Sequence, residues 1–246
     1  MVVSVICVYN SDVQYEDELC SSLNTQDIEF DLVGVRNIHN EFKSAASALN
    51  YGVSKAIGDV LVFSHQDIVL KTNTELREIA YAISNSEIGT VIGTQGVKES
   101  SHIYYTNLTS GEIYNPEIVY RYNRELYDVS CVDEGFFGMR RETWEKHPFN
   151  EILCDDWHLY CVEECLWNRK NGGKVLVYPT QLHHFSKGTI SKAYMDNLKL
   201  LCRVYRRDFK HIWTTCYKVR TNPLYINTLV FAWKANRLIK DIPKQW

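Results

Sequence analysis

Five prolines and twelve glycines are few for a chain of 246 residues, and no Gly-X-Y period accompanies them. Collagen-like and disordered classes are thereby excluded. The eight cysteines, at 7, 20, 131, 154, 161, 165, 202 and 216, include no CxxC pair. Several sit inside apolar patterns where a thiol serves as a small hydrophobe, as in Val5-Ile6-Cys7-Val8. A zinc site and a disulfide framework are both poor fits. No apolar run approaches the roughly 18 residues of a membrane span, and the opening 1–8 carries no cationic leader. The expected setting is reducing and cytoplasmic, which makes the Asn107-Leu108-Thr109 sequon a chance match. A Gly-rich, Lys- or Arg-bearing loop after the first apolar run is also missing, which weighs against nucleotidyl transfer.

What is present is an ordinary globular composition, 45% apolar and 23% charged, long enough for one large α/β domain with a small appendage. The formal net charge of −3 hides an asymmetry: residues 1–200 hold 17 basic and 28 acidic side chains, whereas 201–246 hold 10 and 2. The chain is an acidic body with a basic tail.

Short β-rich apolar runs at 2–8, 30–35, 60–63 and 90–93 alternate with helical patterns at 17–23, 41–56 and 74–84. This order predicts a mostly parallel sheet with helices on both faces. Residues 96–127 are rich in Tyr, Asn and Ser and read as loops and irregular hairpins. A strand at 128–132, a helix at 156–170 and a strand at 174–178 follow. Beyond His183-His184, an apolar stripe of Ile190, Tyr194, Leu198, Leu201, Tyr205 and Ile212 predicts a long helix.

Ligands of open α/β sheets bind beyond the carboxyl ends of the strands. Four polar groups stand there: Tyr9-Asn10, Ser64-His65-Gln66-Asp67, Asp133-Glu134-Gly135 and His183-His184. His65 and Asp67, two residues apart, can face one cavity and hold a divalent cation, or can cap a turn. His183 or His184 can complete such a cation shell or can be a buried structural histidine. Asp155-Asp156 can cap the helix they precede, yet two carboxylates exceed what a cap needs, which frees one to act as a base.

The segment 3–10 resembles the first strand of the family 2 glycosyltransferases, whose domain has the GT-A fold. The resemblance continues through Ala48-Leu49-Asn50-Tyr51-Gly52 and through 56–67, where the family places its Asp-x-Asp element. It extends to 135–144 and to Cys154-Asp155-Asp156-Trp157-His158-Leu159, which is similar to the acceptor-side segment and the Glu-Asp element. It spans about residues 1–188, leaving 189–246 as a basic helical extension.

The resemblance implies inverting sugar transfer from a nucleotide-sugar donor to a hydroxyl of a saccharide or lipid-linked acceptor. Val8, Tyr9, Asn10, Asn50, His65 and Gln66 fall on the donor side. Asp67, with His65, His183 and His184, falls on Mg²⁺ or Mn²⁺. Asp156, with Asp155, falls on the base, and Asp133, Glu134, Gly135 and Trp157 on the acceptor side. His65 stands where most relatives carry the first Asp, a pattern similar to a bacterial branch that makes capsule and surface polysaccharide. Gly34-Val35-Arg36-Asn37 stands where many relatives have acidic nucleoside contacts, leaving the nucleotide open. A catalytically silent relative acting as a scaffold is the competing expectation.

For the tail, contact with the inner face of the cell membrane and packing on the body or a homodimer are equal readings. Nucleic-acid binding is not expected of an acidic body without a recognised binding motif.

Overall fold

The computed structural model describes residues 1–98, 104–106, 109–110, 118–120, 124–185 and 190–240. The first strand, β1 (Val3–Tyr9), gives way to a helical stretch of α1 (Asp12–Gln14), a π-helical turn (Tyr15–Cys20) and α2 (Ser21–Leu23). This stretch begins earlier than the expected 17–23 because the Ser11 hydroxyl accepts the Gln14 N–H and caps it. Next come β2 (Asp31–Arg36) and α3 (Ala45–Lys55), where Ser44 caps the helix by accepting from Ser47 N. Ala45, Leu49 and Val53 bury one face of α3, as their spacing predicts. Then follow β3 (Val60–Ser64), β4 (Ile68–Leu70), α4 (Glu75–Ser84), β5 (Thr90–Gly93) and β6 (Gln95–Val97).

Most of the irregular stretch expected at 96–127, with Asn107 and Leu108 of the sequon, lies outside the described residues. The strands β7 (Tyr104–Thr106), β8 (Thr109–Ser110) and β9 (Ile118–Tyr120) are described there. The single strand expected at 128–132 is two, β10 (Tyr127–Asp128) and β11 (Cys131–Val132), which pair in different sheets. The order closes with β12 (Phe136–Arg140), α5 (Arg141–Lys146), α6 (Tyr160–Lys170), β13 (Lys174–Val177), β14 (Leu182–His184), α7 (Lys192–Tyr205), β15 (His211–Trp213), β16 (Lys218–Arg220) and α8 (Pro223–Lys240).

Seven strands form the central sheet in the order β10-β13-β5-β12-β3-β1-β2. It is mainly parallel, as the alternation of elements predicts, with β12 and β10 antiparallel to their neighbours. The sequence reading passes over β12: its five residues include Gly138, which suits an acceptor-side loop as well as a strand. A Cβ at Gly138 would stand 2.5 Å from the Leu61 carbonyl oxygen and 2.6 Å from Ile83 Cδ1, so glycine lets α4 close onto the sheet.

Strand pleating divides the core into two. Ile6, Leu61, Phe63, Phe137 and Met139 face one layer, while Val3, Val5, Cys7, Val60, Val62 and Phe136 face the other. Phe63 stacks on Phe137 at 5.0 Å and meets Phe149 edge-on at 4.9 Å. Phe63→Ala is expected to cost about 3–5 kcal/mol of stability in urea denaturation. A loss below about 1 kcal/mol would contradict this packing.

Residues beyond 189 enter the first of these layers. Tyr194, Leu198, Leu201 and Tyr205 of α7 and Ile212 of β15 are buried with Leu159 and Val162. The helix ends at Tyr205, so Ile212 continues the stripe on a strand rather than on the helix. In α8, Ile226 and Val230 are buried while Leu224 and Phe231 are exposed. Among the described residues no helix is long and apolar enough to cross a membrane.

Candidate active site

Three backbone elements bring the titratable groups together beyond the sheet. His65 directly follows β3, and its N–H donates to the Gly135 carbonyl at 2.9 Å, extending the β3–β12 ladder by one bond. Gln66 ties this end to that of β1. Its Oε1 accepts from Asn10 N at 2.9 Å and Ser11 N at 3.1 Å, and its Nε2 donates to Asn10 Oδ1 at 2.8 Å. Asp67 leads into β4, which pairs with β14 and sets His184 opposite Ile68.

His65, Asp67 and His184 converge: a ligand-capable atom of each lies within 4.8 Å of the others. His184 Nε2 is 3.3 Å from Asp67 Oδ1 and 3.4 Å from His65 Nδ1. His65 Nε2 faces the Tyr160 hydroxyl at 3.4 Å. Burial, reinforced by His184, lowers His65 to about 4, which keeps its ring neutral at physiological pH. Burial alone would raise the Asp67 carboxyl, but the hydrogen bond and charge of His184 outweigh it and hold Asp67 below its ordinary value. Burial likewise opposes protonation of His184, and Asp67 reverses that, raising it.

His183 alternates to the other face of β14 and meets Phe185 edge-on at 4.2 Å. Of the adjacent pair, His184 is therefore the one that joins the cluster. Two imidazoles and a carboxylate fit a divalent cation, and this donor set suits Mn²⁺ better than Mg²⁺, which prefers oxygen.

Beside the cluster lies a cavity of about 270 Å³, sharing His65 and His184 with it. Asp133 and Glu134 line it. Asp133 Oδ1 accepts from Gly135 N, and Oδ2 from the Thr215 hydroxyl, each at 2.9 Å. Gly135 packs beside His184, where a Cβ would meet Asp133 Oδ1 at 3.1 Å and the imidazole Cε1 at 3.4 Å. Glu134 Oε2 lies 3.5 Å from His158 Nδ1. Burial raises the Glu134 carboxyl, while the hydrogen bond to Glu134 raises His158.

Asp155 and Asp156 precede α6 without capping it. The helix expected from 156 starts at Tyr160, because Leu159 takes a left-handed conformation (φ 71°) and breaks the chain there with no side-chain cap. The capping alternative is thus removed. Asp155 is exposed and Asp156 half-buried. Asp156 Oδ2 accepts from Ser191 Oγ at 3.4 Å, its carbonyl accepts from Ala45 N, and its charge is one of those that raise His158.

Other expected residues lie elsewhere or do structural work. Asn50 spends its amide on the loop after α5, donating to the Phe149 carbonyl and Glu151 Oε1 and accepting from Phe149 N and Trp144 Nε1. Trp157 packs against the core. Val8 is half-buried against the core as well, and Tyr9 stacks on Tyr15 at 4.1 Å. The sequence reading misses Tyr160, His158, Ser191 and Thr215 as neighbours of these groups. His158 and Tyr160 stand within four residues of Asp156 and could have been found there, whereas Ser191 and Thr215 arrive from elements distant in sequence.

The sequence matches the model of the glycosyltransferase-like family over residues 4–207. The chain belongs to that family. No curated protein matches it. Among solved structures, this glycosyltransferase-like chain is similar to GalNAc-T7 with UDP, GalNAc and Mn²⁺ (TM-score 0.60, 14% identity, covering 82% of this chain and 47% of that one). Residues 1–349 of TarS from S. aureus, in complex with UDP-GlcNAc, give 0.58, 13%, 88% and 69%. The mannosyltransferase PcManGT from Pyrobaculum calidifontis, in complex with GDP-Man and Mn²⁺, gives 0.55, 14%, 94% and 69%. The chain spans about half the length of GalNAc-T7, and at these identities the likeness is one of fold.

Proposed function

We propose that the protein transfers a sugar, with inversion, from a nucleotide-sugar donor to a hydroxyl of a saccharide or lipid-linked acceptor, as in bacterial surface-polysaccharide synthesis. The observation that carries this is the convergence of His65, Asp67 and His184 beyond the sheet of a glycosyltransferase-family chain. Nucleotide-sugar complexes of two structural neighbours and a UDP and GalNAc complex of a third, two of the three with Mn²⁺, support the same reading. These three residues would hold Mn²⁺, with Mg²⁺ the weaker alternative, and the bound cation would neutralise the leaving diphosphate.

Asp156 supplies the base. Its carboxylate takes the acceptor hydroxyl proton as the acceptor oxygen bonds to the anomeric carbon, and the bond from that carbon to the diphosphate oxygen breaks with its electron pair on the diphosphate. Neutral His65 would offer a lone pair without first losing a proton, and His184 would have to release any proton on the nitrogen facing Asp67 before holding a cation. Asn10 and Gln66, locked to each other, shape the donor edge of β1.

The test is a panel of UDP- and GDP-sugars with Mn²⁺ or Mg²⁺ and oligosaccharide or lipid-linked acceptors. Transfer is expected with Mn²⁺, lost in EDTA and restored by added Mn²⁺. Undiminished transfer in EDTA would remove the cation, and absence of any nucleotide binding by calorimetry would favour a scaffold role.

A further inference from the structure

The family match ends at residue 207, yet the wall of the cavity facing the cation cluster is built partly from residues beyond it. Thr214, Thr215 and Cys216, on the turn joining β15 to β16, line that wall. The turn is held from within. Thr214 Oγ1 accepts from Cys216 N at 3.1 Å and Tyr217 N at 2.8 Å, and shares a 3.0 Å hydrogen bond with the Tyr194 hydroxyl. It is also fastened to the opposite wall, because the Thr215 hydroxyl donates to Asp133 Oδ2.

The cavity is amphipathic. His158 and Glu134, the latter expected on the acceptor side but here beside the cation cluster, give it a polar edge, while Ile190, Leu159 and Val162 give it apolar faces. A pyranose has the same character, with hydroxyls around its rim and C–H groups on its faces. The cavity volume of about 270 Å³ lies at the small end of ligand pockets, about 300–1,000 Å³, a space suited to one ring rather than a chain of them. Because it shares His65 and His184 with the cation cluster, a group attached to a diphosphate held at that cluster would enter it next.

We infer that the 214–216 turn closes the subsite for the donor's sugar ring and that Thr215, through Asp133, positions the wall that selects which sugar is accepted. This rests on the donor reading above and adds to it a selectivity element contributed by the C-terminal segment.

Cys216 supplies a readout independent of turnover. Seven of the eight cysteines are buried and Cys216 is exposed. Partial desolvation and the nearby Asp133 charge nonetheless push the thiol up, so labelling is run at mildly alkaline pH. The full chain with Mn²⁺ is treated with iodoacetamide, alone or with UDP-GlcNAc, UDP-GalNAc, GDP-Man, UDP or GDP, and Cys216→Ser identifies the modified site. At saturation, the nucleotide sugar that binds is expected to slow Cys216 labelling about tenfold or more, whereas the matching nucleoside diphosphate binds without protecting it. A nucleotide sugar that binds by calorimetry and leaves labelling unchanged overturns the subsite while sparing the donor reading. Failure of every nucleotide to bind overturns both.

Thr215→Val removes the hydroxyl and keeps the shape. It is expected to change the ratio of kcat/KM between the two best donors about tenfold, with melting lowered by no more than a few degrees. Equal slowing of all donors overturns the selectivity role.

Discussion

Asp156→Asn is expected to lower kcat for sugar transfer by about 10²–10⁴-fold while leaving the affinity for nucleotide sugar within about twofold, as measured by initial rates beside calorimetry. The substitution is nearly isosteric. The Asp156 backbone carbonyl keeps its bond from Ala45 N, and an asparagine Oδ1 can still accept from Ser191. Folding is therefore not the route by which activity falls. What is lost is the lone pair that removes the acceptor proton. An equal fall in donor affinity would assign Asp156 to binding instead, and an unchanged rate would remove it from the reaction. Asp155→Asn is the internal comparison: the exposed neighbour is expected to lose far less, because a single base suffices.

Asp67→Asn is expected to abolish Mn²⁺ binding at micromolar concentrations and to lower transfer by about 10²–10⁴-fold, the loss of several kcal/mol of charge stabilisation on the leaving diphosphate. The reasoning begins with burial. Asp67 is 8% exposed, and its ionised form is maintained against desolvation by His184 at 3.3 Å. Replacing the carboxylate with an amide removes both the anionic ligand and the partner that raises His184. His184→Ala should produce the same loss of metal while leaving the Asp67 carboxylate unpartnered by that imidazole. Metal titration followed by calorimetry or by Mn²⁺ electron paramagnetic resonance reads these outcomes, and thermal melting followed by circular dichroism separates them from a folding defect. Either variant retaining wild-type metal affinity would show that the cluster is a structural hydrogen-bond network.

How far the sequence alone reaches can be seen residue by residue. Periodicity places β1, β3, β5 and α3 well, because each is a continuous apolar run or a clear helical stripe whose burial depends on local pattern. It fails at β12, which is short, contains Gly138, and becomes a strand only because β3 and β5 offer edges on both sides. It fails again at the start of α6, where Leu159 adopts a backbone conformation that its residue type disfavours.

The candidate site follows the same division. His65, Asp67 and Asp156 stand next to element boundaries and are visible as motifs. The choice of His184 over His183 depends on the register of β14 against β4, which places His184 opposite Ile68 and turns His183 away. Tyr160 and Thr215 touch His65 and Asp133 across 95 and 82 residues of sequence, and neither follows an apolar run that reads as a strand, the pattern that marks the other candidates.

The insertion of β12 between β3 and β5 also bears on the order of folding. On the β1 side, β3 can pair with its parallel partner as soon as residues 60–64 exist, but its other edge waits for 136–140. His65 and His184 are 119 residues apart and meet only after β14 has been made and has aligned on β4. Loop closure over such separations is slow compared with the local formation of α3 or α4. The groups proposed to hold the cation are thus among the last of the molecule to come together, so a chain arrested during synthesis before residue 184 can contain most of a sheet without containing the site.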